Sequence, residues 1–515
     1  MQDTSNSALK PAPPYINSIS LGSALRPELH APSLTPFYVF NSCFVRDHAA
    51  QKRRYARMEL YYTEDNYHWA QSSSQVSACT VEPGTAEDVG TVVNILARTQ
   101  TPFGVKGGGH SANPGFSSTT GVQIAMARFN NVTYDASAGT ATIGAGLIWD
   151  DVYAELEPYN VNVVGGRVTG VGVAGFTLGG GFSFLSNQYG LTIDTVRAFE
   201  LVLPNGTITT VTESNPDLFW ALKASVSCFS PFHILVLTTP VREDSTTSYG
   251  IVTQFILEAY PQGQVWGGAI ITLGELDAVT NATANFYANV ADPKASILTT
   301  LNWDLGITAV EVNLFYDAPT PPDGIFDEFL AMPYLTRDVS TRSFLSLVLT
   351  APSNATFGLR GYFETVSITD ITLPLLDAIV NETEYWSTTL AAEVPGLFVS
   401  YDIEPFLPSI YSHGSPSAWP PTRSQGFMPI NIYYAWSLEA SDSLINSVMQ
   451  ESARYLTQVA ISQGQDVANT PHYPNYAIYD TALSTMYGDN VASLQAIKAQ
   501  YDPDNVMALA GGWKF

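Results

Sequence analysis

The amino-acid sequence predicts an α+β fold with two large domains, and three observations support this prediction. Residues 73–262 mix helical with strand-like stretches and contain two runs rich in glycine. Residues 263–463 contain strand-like runs followed by helical ones, which is typical of an α+β domain with an antiparallel sheet. The chain has 515 residues, 45% of them hydrophobic, which suits two large domains or a few smaller ones and is ample for a buried core.

The N-terminal end differs from the rest of the chain. Residues 1–55 show no sustained hydrophobic periodicity, and they end in a charged run from Gln51 to Tyr55. We therefore expect a poorly ordered extension before the first domain.

A predicted helix and a short strand precede the first glycine run. Thr85 is placed to cap the helix. The apolar face of this helix would consist of Val89, Val92, Val93 and Leu96. A strand-like segment, residues 103–105, then leads into the run at 106–111.

Glycine adopts backbone angles that other residues avoid, so the consecutive amides of Gly107–Gly109 can converge on an anion such as phosphate. A single glycine cluster more often marks a turn, and a lone histidine beside it, here His110, usually hydrogen-bonds within that turn. A second dense run extends from Gly165 to Gly181. Two such runs favour a large, elongated ligand that carries phosphate.

The remaining elements are strands, with one long helix near the end of the second domain. A strand from Thr195 to Leu203 closes on Pro204-Asn205-Gly206 and predicts a hairpin. Apolar runs at 266–272 and 310–315 predict further strands, and residues 441–460 predict a helix. We find no internal repeats.

The charge and cysteine content exclude several kinds of partner. The formal net charge is -25, which disfavours nucleic acid and anionic membrane surfaces because both would repel the protein. No apolar stretch reaches the roughly eighteen residues that span a bilayer. We predict no metal site, since three cysteines are too few and too scattered, although Cys43 and Cys79 could form one bridge in a secreted protein.

The compartment of the protein stays open on this evidence. Met1 is followed by polar, proline-rich sequence, so this reading frame shows no signal peptide. Five Asn-x-Ser/Thr sequons are nevertheless compatible with a secreted glycoprotein: Asn131, Asn205, Asn281, Asn354 and Asn381.

From about Ser77 to Pro261, and again from Tyr473 to Trp513, the chain resembles one known superfamily. This is the vanillyl-alcohol-oxidase and p-cresol-methylhydroxylase (PCMH) superfamily, and the resemblance is greatest to its berberine-bridge-enzyme-like branch. The motifs that carry it are the Gly-Gly-His-Ser run and the stretches 217–223, 249–253, 473–476 and 501–506.

The resemblance implies a division of the chain. Residues 73–262 would form a PCMH-type FAD-binding domain and residues 263–463 a substrate domain. The C-terminal segment, 464–515, would return to the FAD domain. Members of the family are commonly secreted, which favours the secretory pathway.

The resemblance also implies FAD as cofactor, attached covalently through His110. A neutral imidazole nitrogen is a nucleophile, and such a tether raises the reduction potential of the flavin. Many members add a second link through a cysteine, but residues 166–172 contain none, so we predict a single bond. The other residues that the resemblance places beside FAD are Lys106, Gly107, Gly108, Gly109, Ser111, Val171, Gly172, Gly175, Gly179, Ile193, Asp194, Ile251, Val252, Tyr473 and Asn475.

Two polar residues near these motifs concern the chemistry. Tyr476 corresponds to a tyrosine that serves several members as the catalytic base, which requires its pKa to be lowered from about 10 by its neighbours. Other members use a glutamate or aspartate of the substrate domain, which the sequence does not identify. Arg167 either pairs with a phosphate or a carboxylate or is a surface or interdomain arginine.

We therefore expect an FAD-dependent oxidoreductase. It would pass a hydride from a small or medium-sized organic substrate, a specialised metabolite, to FAD and then to O2. One alternative is a carbohydrate oxidase, and another is a catalytically inactive flavin-binding protein.

One stretch has no counterpart in the family. Removal of residues 226–247 would leave a junction from Ser225 to Ser248 that resembles the usual family sequence. Our hypothesis is that this insert is a translated intron, and the alternative is a genuine surface loop.

Overall fold

The computed structural model describes residues 38–40, 60–223, 248–351 and 356–515 of the chain. Two of our predictions lie wholly or largely outside these residues. They are the insert at 226–247 and the N-terminal extension, of which only Tyr38–Phe40 are described, as a strand. The predicted bridge also involves Cys43, which is not among the described residues.

A small sheet forms the beginning of the first domain. Its strands are β1 (Tyr38–Phe40), β2 (Cys79–Glu82), β3 (Phe103–Lys106) and β4 (Val122–Ala125). The order is β1-β2-β4-β3, with β4 parallel to both β2 and β3. A helix that includes residues 60–66 (α1) precedes β2, and β3 ends where the first glycine run begins.

The predicted helix before that run is confirmed as α2 (Ala86–Thr99). Thr85 Oγ1 accepts a hydrogen bond of 3.2 Å from the backbone N–H of Asp88, which satisfies one of the free donors of the first turn. The predicted apolar face is buried. The helix ends at Gln100, whose φ of 50° is left-handed.

A second, antiparallel sheet completes this part of the chain. Its strands are β5 (Val132–Asp135), β6 (Thr140–Gly144), β8 (Val196–Val202), β9 (Ile208–Val211) and β10 (Ile251–Glu258), in the order β5-β6-β10-β8-β9. The predicted hairpin is the β8–β9 pair. A two-stranded pair consists of β7 (Val161–Asn162) and β11 (Tyr260–Pro261). The helices here are α3 (Trp149–Leu156), α4 (Val173–Leu178), α5 (Ser186–Tyr189) and α6 (Pro216–Leu222).

A seven-stranded antiparallel sheet forms the second half of the chain, as the predicted fold class requires. Its strands are β12 (Val265–Leu273), β13 (Ala295–Asp304), β14 (Ile307–Tyr316), β15 (Thr336–Arg342), β16 (Arg360–Ile368), β17 (Phe398–Ile403) and β18 (Met428–Trp436). Their order is β15-β12-β14-β13-β17-β18-β16. Strands at 266–272 and 310–315 are confirmed within β12 and β14.

We predicted that the helices of this half would follow its strands along the chain. In the structure the helices are interspersed among the strands instead. They are α7 (Leu276–Asn289), α8 (Asp327–Leu330), α9 (Phe344–Val348), α10 (Leu373–Leu390) and α11 (Asp442–Ser462). The last of these is the predicted helix at 441–460. The longer helices α10 and α11 pack on one face of the sheet, against β13, β17 and β16. The opposite face is left to line a cavity.

The C-terminal residues contact the first half of the chain. They include α12 (Leu483–Tyr487) and α13 (Asn490–Tyr501). Ala510 forms a parallel bridge with Phe103, and the Trp513 ring meets Phe116 edge-on at 5.2 Å. This return places the stretch around Tyr473–Tyr476 beside both halves of the molecule.

Within the described part of the chain, no helix has the length and hydropathy needed to cross a bilayer. The same residues contain no group of three or more His, Cys, Asp or Glu side chains that could hold a metal ion.

Candidate active site

A cavity of about 480 Å³ lies where the glycine runs, the seven-stranded sheet and the C-terminal segment meet. This volume is in the range of small-molecule sites, about 300–1,000 Å³. One side, which we call the glycine wall, consists of residues 107–113 and 171–176. The other side, the sheet wall, is formed by cavity-facing side chains of β13, β14, β16, β17 and β18 and by Glu404.

The glycine wall is close-packed backbone. A Cβ atom added to Gly108 would lie 2.5 Å from the Cα of Gly172, so the two glycine runs touch where neither can carry a side chain. Gly109 has a φ of 72°, a left-handed conformation that favours glycine. The predicted residues Gly107, Ser111 and Val171 also line the cavity.

Gly175 differs from Gly108 in what surrounds it. A Cβ added to Gly175 would have no protein atom within 4 Å, although Gly175 lines the cavity wall. The glycine wall is therefore open toward the cavity at this point and closed against itself at Gly108.

His110 contributes the only imidazole among the described residues of the cavity wall. Its Nε2 atom is buried and has no hydrogen-bond partner among the described residues. Burial lowers the pKa of His110 to about 4, so the ring is neutral at physiological pH. The Trp69 indole stacks on it, with ring centroids 4.4 Å apart and planes 10° from parallel. A neutral, buried imidazole with a free nitrogen is chemically suited to act as a nucleophile.

Arg167, Glu404 and Tyr476 form a buried polar cluster across the cavity wall. Arg167 Nη2 lies 2.6 Å from Glu404 Oε2, and Tyr476 Oη donates to Glu404 Oε1 at 2.7 Å. Arg167 Nη2 also lies 3.3 Å from Tyr476 Oη. Arg167 is therefore buried and pairs with a carboxylate of the other half of the chain, and it is not a surface residue.

The pKa values in this cluster differ from our expectation. Burial raises the pKa of Tyr476 well above its ordinary value, and the Glu404 carboxylate raises it further. The expected lowering of this pKa is therefore wrong, and Tyr476 is a neutral phenol. Burial alone would lower the pKa of Arg167, but the charge of Glu404 raises it above the ordinary value, so the guanidinium keeps its charge.

The sheet wall carries further carboxylates because strand residues alternate between its two faces. On β17, Ser400 and Asp402 line the cavity, whereas Val399 and Tyr401 are buried on the helical side. Asn431 Nδ2 donates to Asp402 Oδ2 at 2.7 Å. Burial, followed by the charge of nearby Glu404, raises the pKa of Asp402 to about 6.

A second carboxylate lies on β14. Asn313 Nδ2 donates to Glu311 Oε1 at 2.9 Å, and burial raises the pKa of Glu311. Aromatic residues complete the enclosure around these polar groups: Trp69, Phe176, Phe182, Phe363, Phe398 and Tyr433.

Tyr473 and Asn475 line the cavity and are joined by a hydrogen bond, and their contact with a cofactor stays a prediction. Asn475 Nδ2 donates to Tyr473 Oη at 2.9 Å and lies 3.1 Å from the carbonyl oxygen of Phe176. The Tyr473 and Tyr476 rings meet edge-on with centroids 4.8 Å apart. Tyr473 and Asn475 thus fix the position of Tyr476.

Six predicted site residues do not line the cavity, for identifiable reasons. Lys106 Nζ turns away at the end of β3 and donates to the carbonyl oxygen of Glu64 at 2.7 Å. Asp194 pairs with Arg423 at 2.6 Å. The others are buried behind the wall: Gly179 against Asn475, Ile193 in a short 3-10 helix, and Ile251 and Val252 in β10. Their contact with a cofactor stays a prediction.

Sequence reasoning missed Glu404, Asp402 and Trp69. The first two continue the alternating pattern of β17, and such a pattern does not say which face meets a cavity. Trp69 lies outside the stretch in which we recognised motifs, and an isolated tryptophan carries no local signal.

Comparisons with known proteins agree with this geometry. A family profile described as FAD binding domain matches residues 77–212, and one described as berberine and berberine like matches residues 472–510. The FAD-dependent monooxygenase drtC of Aspergillus calidoustus is 30% identical over 481 residues, which covers 89% of this chain and 87% of that protein.

Solved structures share the fold. 6-Hydroxy-D-nicotine oxidase from Arthrobacter nicotinovorans superposes with a TM-score of 0.68 at 19% identity, covering 86% of this chain and 94% of that one. Glucooligosaccharide oxidase from Acremonium strictum, described with a 6-S-cysteinyl, 8α-N1-histidyl FAD, gives a TM-score of 0.66 at 18% identity. The alignment covers 86% of this chain and 92% of the oxidase.

Proposed function

Since the chain belongs to the berberine-bridge-enzyme-like family of FAD-linked oxidoreductases, we propose that it is an oxidase of a small or medium-sized organic molecule. The observation that carries this proposal is a neutral, unpartnered imidazole on one wall of a cavity that also holds a buried phenol–carboxylate pair. When bound, FAD supplies the hydride acceptor, and O2 is the final acceptor in the reaction we propose.

The residues present fit an FAD molecule. His110 Nε2 is a buried polar atom in need of a partner, and Gly175 leaves space that a ligand can fill. The backbone amides of residues 107–111 are available to phosphate oxygens. Val171 and Gly172 allow close approach from the second run.

We further propose one covalent bond, between His110 and the flavin. The new C–N bond would replace a methyl C–H bond of the flavin and an N–H bond of the imidazole, and O2 would take up the two hydrogens as hydrogen peroxide. A second link is not expected because residues 166–172 contain no cysteine. In that segment Arg167 instead forms an ion pair with Glu404.

Proton removal from the substrate is assigned to Tyr476 and Glu404 together. Because the Tyr476 phenol already donates to Glu404, it can accept a substrate proton at its oxygen while passing its own proton to the carboxylate. Arg167 holds Glu404 in place and stabilises its negative charge. In this scheme Tyr476 relays the proton, so it needs no lowered pKa.

The cavity supports a substrate with both aromatic and polar parts. Trp69, Phe363 and Phe398 offer flat apolar surface, whereas Asp402 and Asn431 offer hydrogen bonds. We propose a specialised metabolite as this substrate, because such a molecule can carry both an aromatic ring and polar groups. The second candidate is a carbohydrate, favoured by the carboxylate and amide side chains of Glu311, Asn313 and Asp402, which suit several hydroxyl groups.

Exposed sequons support glycosylation as a further part of the proposal. Asn131, Asn205, Asn281 and Asn381 have exposed side chains, and the fifth sequon lies outside the described residues. Mass measurement before and after enzymatic removal of N-glycans would test this.

The flavin-attachment experiment tests the proposed function. The purified protein is precipitated with acid, and the flavin in the pellet is compared with that in the supernatant. We expect wild-type flavin to stay in the pellet and His110→Ala flavin to leave it, whereas His413→Ala, away from the cavity, should behave as wild type. Colourless wild-type protein would overturn the proposal that FAD is the cofactor, whereas yellow protein that oxidises no tested substrate would support the inactive flavin-binding alternative. Peroxide release on panels of phenols and sugars separates the two enzymatic candidates.

A further inference from the structure

Residues 67–74, which we call the strap, follow α1 and lead toward β2. They precede the stretch that matches the FAD binding domain family, which begins at residue 77. Trp69 of the strap nevertheless lines the cavity, and the strap hydrogen-bonds to both of the cavity walls.

On the glycine side, the strap holds the loop that carries His110. The backbone N–H of Trp69 donates to the carbonyl oxygen of Gly109 at 2.9 Å. Ser73 Oγ lies 2.6 Å from the carbonyl oxygen of Ser111. His110 is thus held on both sides through its sequence neighbours.

On the sheet side, the strap pairs with the beginning of β16. The backbone N–H of Gln71 donates to the carbonyl oxygen of Leu359 at 2.7 Å. The backbone N–H of Gly358 donates to the carbonyl oxygen of Trp69 at 3.1 Å. The buried Ser72 side chain joins the two walls through its Oγ. This oxygen lies 2.8 Å from the carbonyl oxygen of Ala112 and 2.7 Å from that of Gly361.

The Trp69 ring also contacts both walls, because it stacks with His110 of the glycine wall and with Phe363 of the sheet wall. Its plane is 10° from that of His110 and 9° from that of Phe363, with centroids 4.4 Å and 6.0 Å away. A nearly parallel stack of this kind restricts rotation of the imidazole about its side-chain bonds.

We propose that the strap sets the orientation of the His110 ring for flavin attachment, with Trp69 as the positioning residue and Ser72 as its anchor. The proposal rests on the covalent bond put forward above. It predicts that the strap controls how much of the bound flavin becomes covalent.

The test measures two quantities on each purified protein: total bound flavin and the share that stays with the protein after acid precipitation. Trp69→Ala should lower the covalent share about fivefold, the size expected from loss of one aromatic stack. Trp69→Phe keeps a ring there and should restore most of that share. Ser72→Ala should lower it about twofold because one buried hydrogen-bond junction is lost. Trp386→Ala, on α10 and away from the cavity, is the matched control.

The outcomes separate this inference from the proposed function. Acid-stable flavin in wild type together with an unchanged covalent share in Trp69→Ala would overturn the role of the strap and leave the covalent bond standing. Acid-labile flavin in wild type would overturn both. If Trp69→Ala does not fold, Ser72→Ala decides, and an unchanged share in that variant overturns the inference.

Discussion

The glycine wall and the sheet wall enclose the same cavity with different atoms. The glycine wall presents backbone and one neutral imidazole, and its two runs approach so closely that a Cβ at Gly108 would be 2.5 Å from Gly172. The sheet wall presents carboxylates on alternate strand positions, and it meets the guanidinium of Arg167 at Glu404. In the function that we propose, backbone shape therefore holds the cofactor on one side, and charged and polar side chains remove the substrate proton on the other.

The largest expected effect comes from breaking the glycine wall. Gly108→Val would push a side chain into the backbone of Gly172, and overpacking of this kind costs about 1–3 kcal/mol or more. We expect the flavin content per protein to fall at least about tenfold, as measured by visible absorbance. Gly263→Val is the control, since a Cβ there meets no atom within 4 Å. Normal flavin content in Gly108→Val would show that the two runs can separate.

Loss of the Tyr476–Glu404 hydrogen bond at the edge of the sheet wall should leave the flavin bound and slow its reduction. Glu404→Gln removes the proton acceptor, and Tyr476→Phe removes the relay, so each should slow reduction by about 10²-fold. Because the two groups act as a unit, the double variant should be little slower than either single one. Rapid mixing with substrate in the absence of oxygen measures these rates. Two effects that multiply would show that Tyr476 and Glu404 act independently.

The smallest effect concerns a carboxyl behind the sheet wall. Glu364 on β16 is buried, and its burial, together with the charge of nearby Asp480, raises its pKa to about 8. Between about pH 4.5 and 8 this group is ionised in the unfolded chain and protonated in the folded one, so wild-type stability falls as pH rises.

Glu364→Gln should remove this dependence. Relative to wild type, its melting temperature should rise by about 2–4 °C or more between pH 5 and pH 8.5. Thermal melts at both pH values measure the difference. A constant difference at the two pH values would mean that Glu364 does not titrate in this range.

The two walls also differ in how far the sequence predicts them. Gly107–Gly109, His110 and Gly172 are local signals, because consecutive glycines before a histidine constrain the backbone within a few residues. The Arg167–Glu404 pair spans 237 positions, and Glu404 and Tyr476 are 72 apart. Such contacts depend on the order of strands in the sheet, which no local pattern contains.

Differences between expectation and structure have the same origin. Lys106 adjoins the glycine run in sequence, but its Nζ donates to the carbonyl oxygen of Glu64 and does not line the cavity, so its contact with a cofactor stays a prediction. The pKa of Tyr476 was expected to fall, whereas burial raises it. Burial is a property of the assembled core, and neither the motif nor its spacing reveals it.

The stacking of Trp69 on His110 also has an optical consequence. If flavin binds beside His110 as we propose, the Trp69 indole that stacks on His110 is close enough for the flavin to quench its fluorescence. Trp69 is therefore a built-in reporter, and its ultraviolet emission should dim as apoprotein takes up pigment. Comparison with Trp69→Phe would isolate that signal and follow cofactor uptake in real time without any added dye.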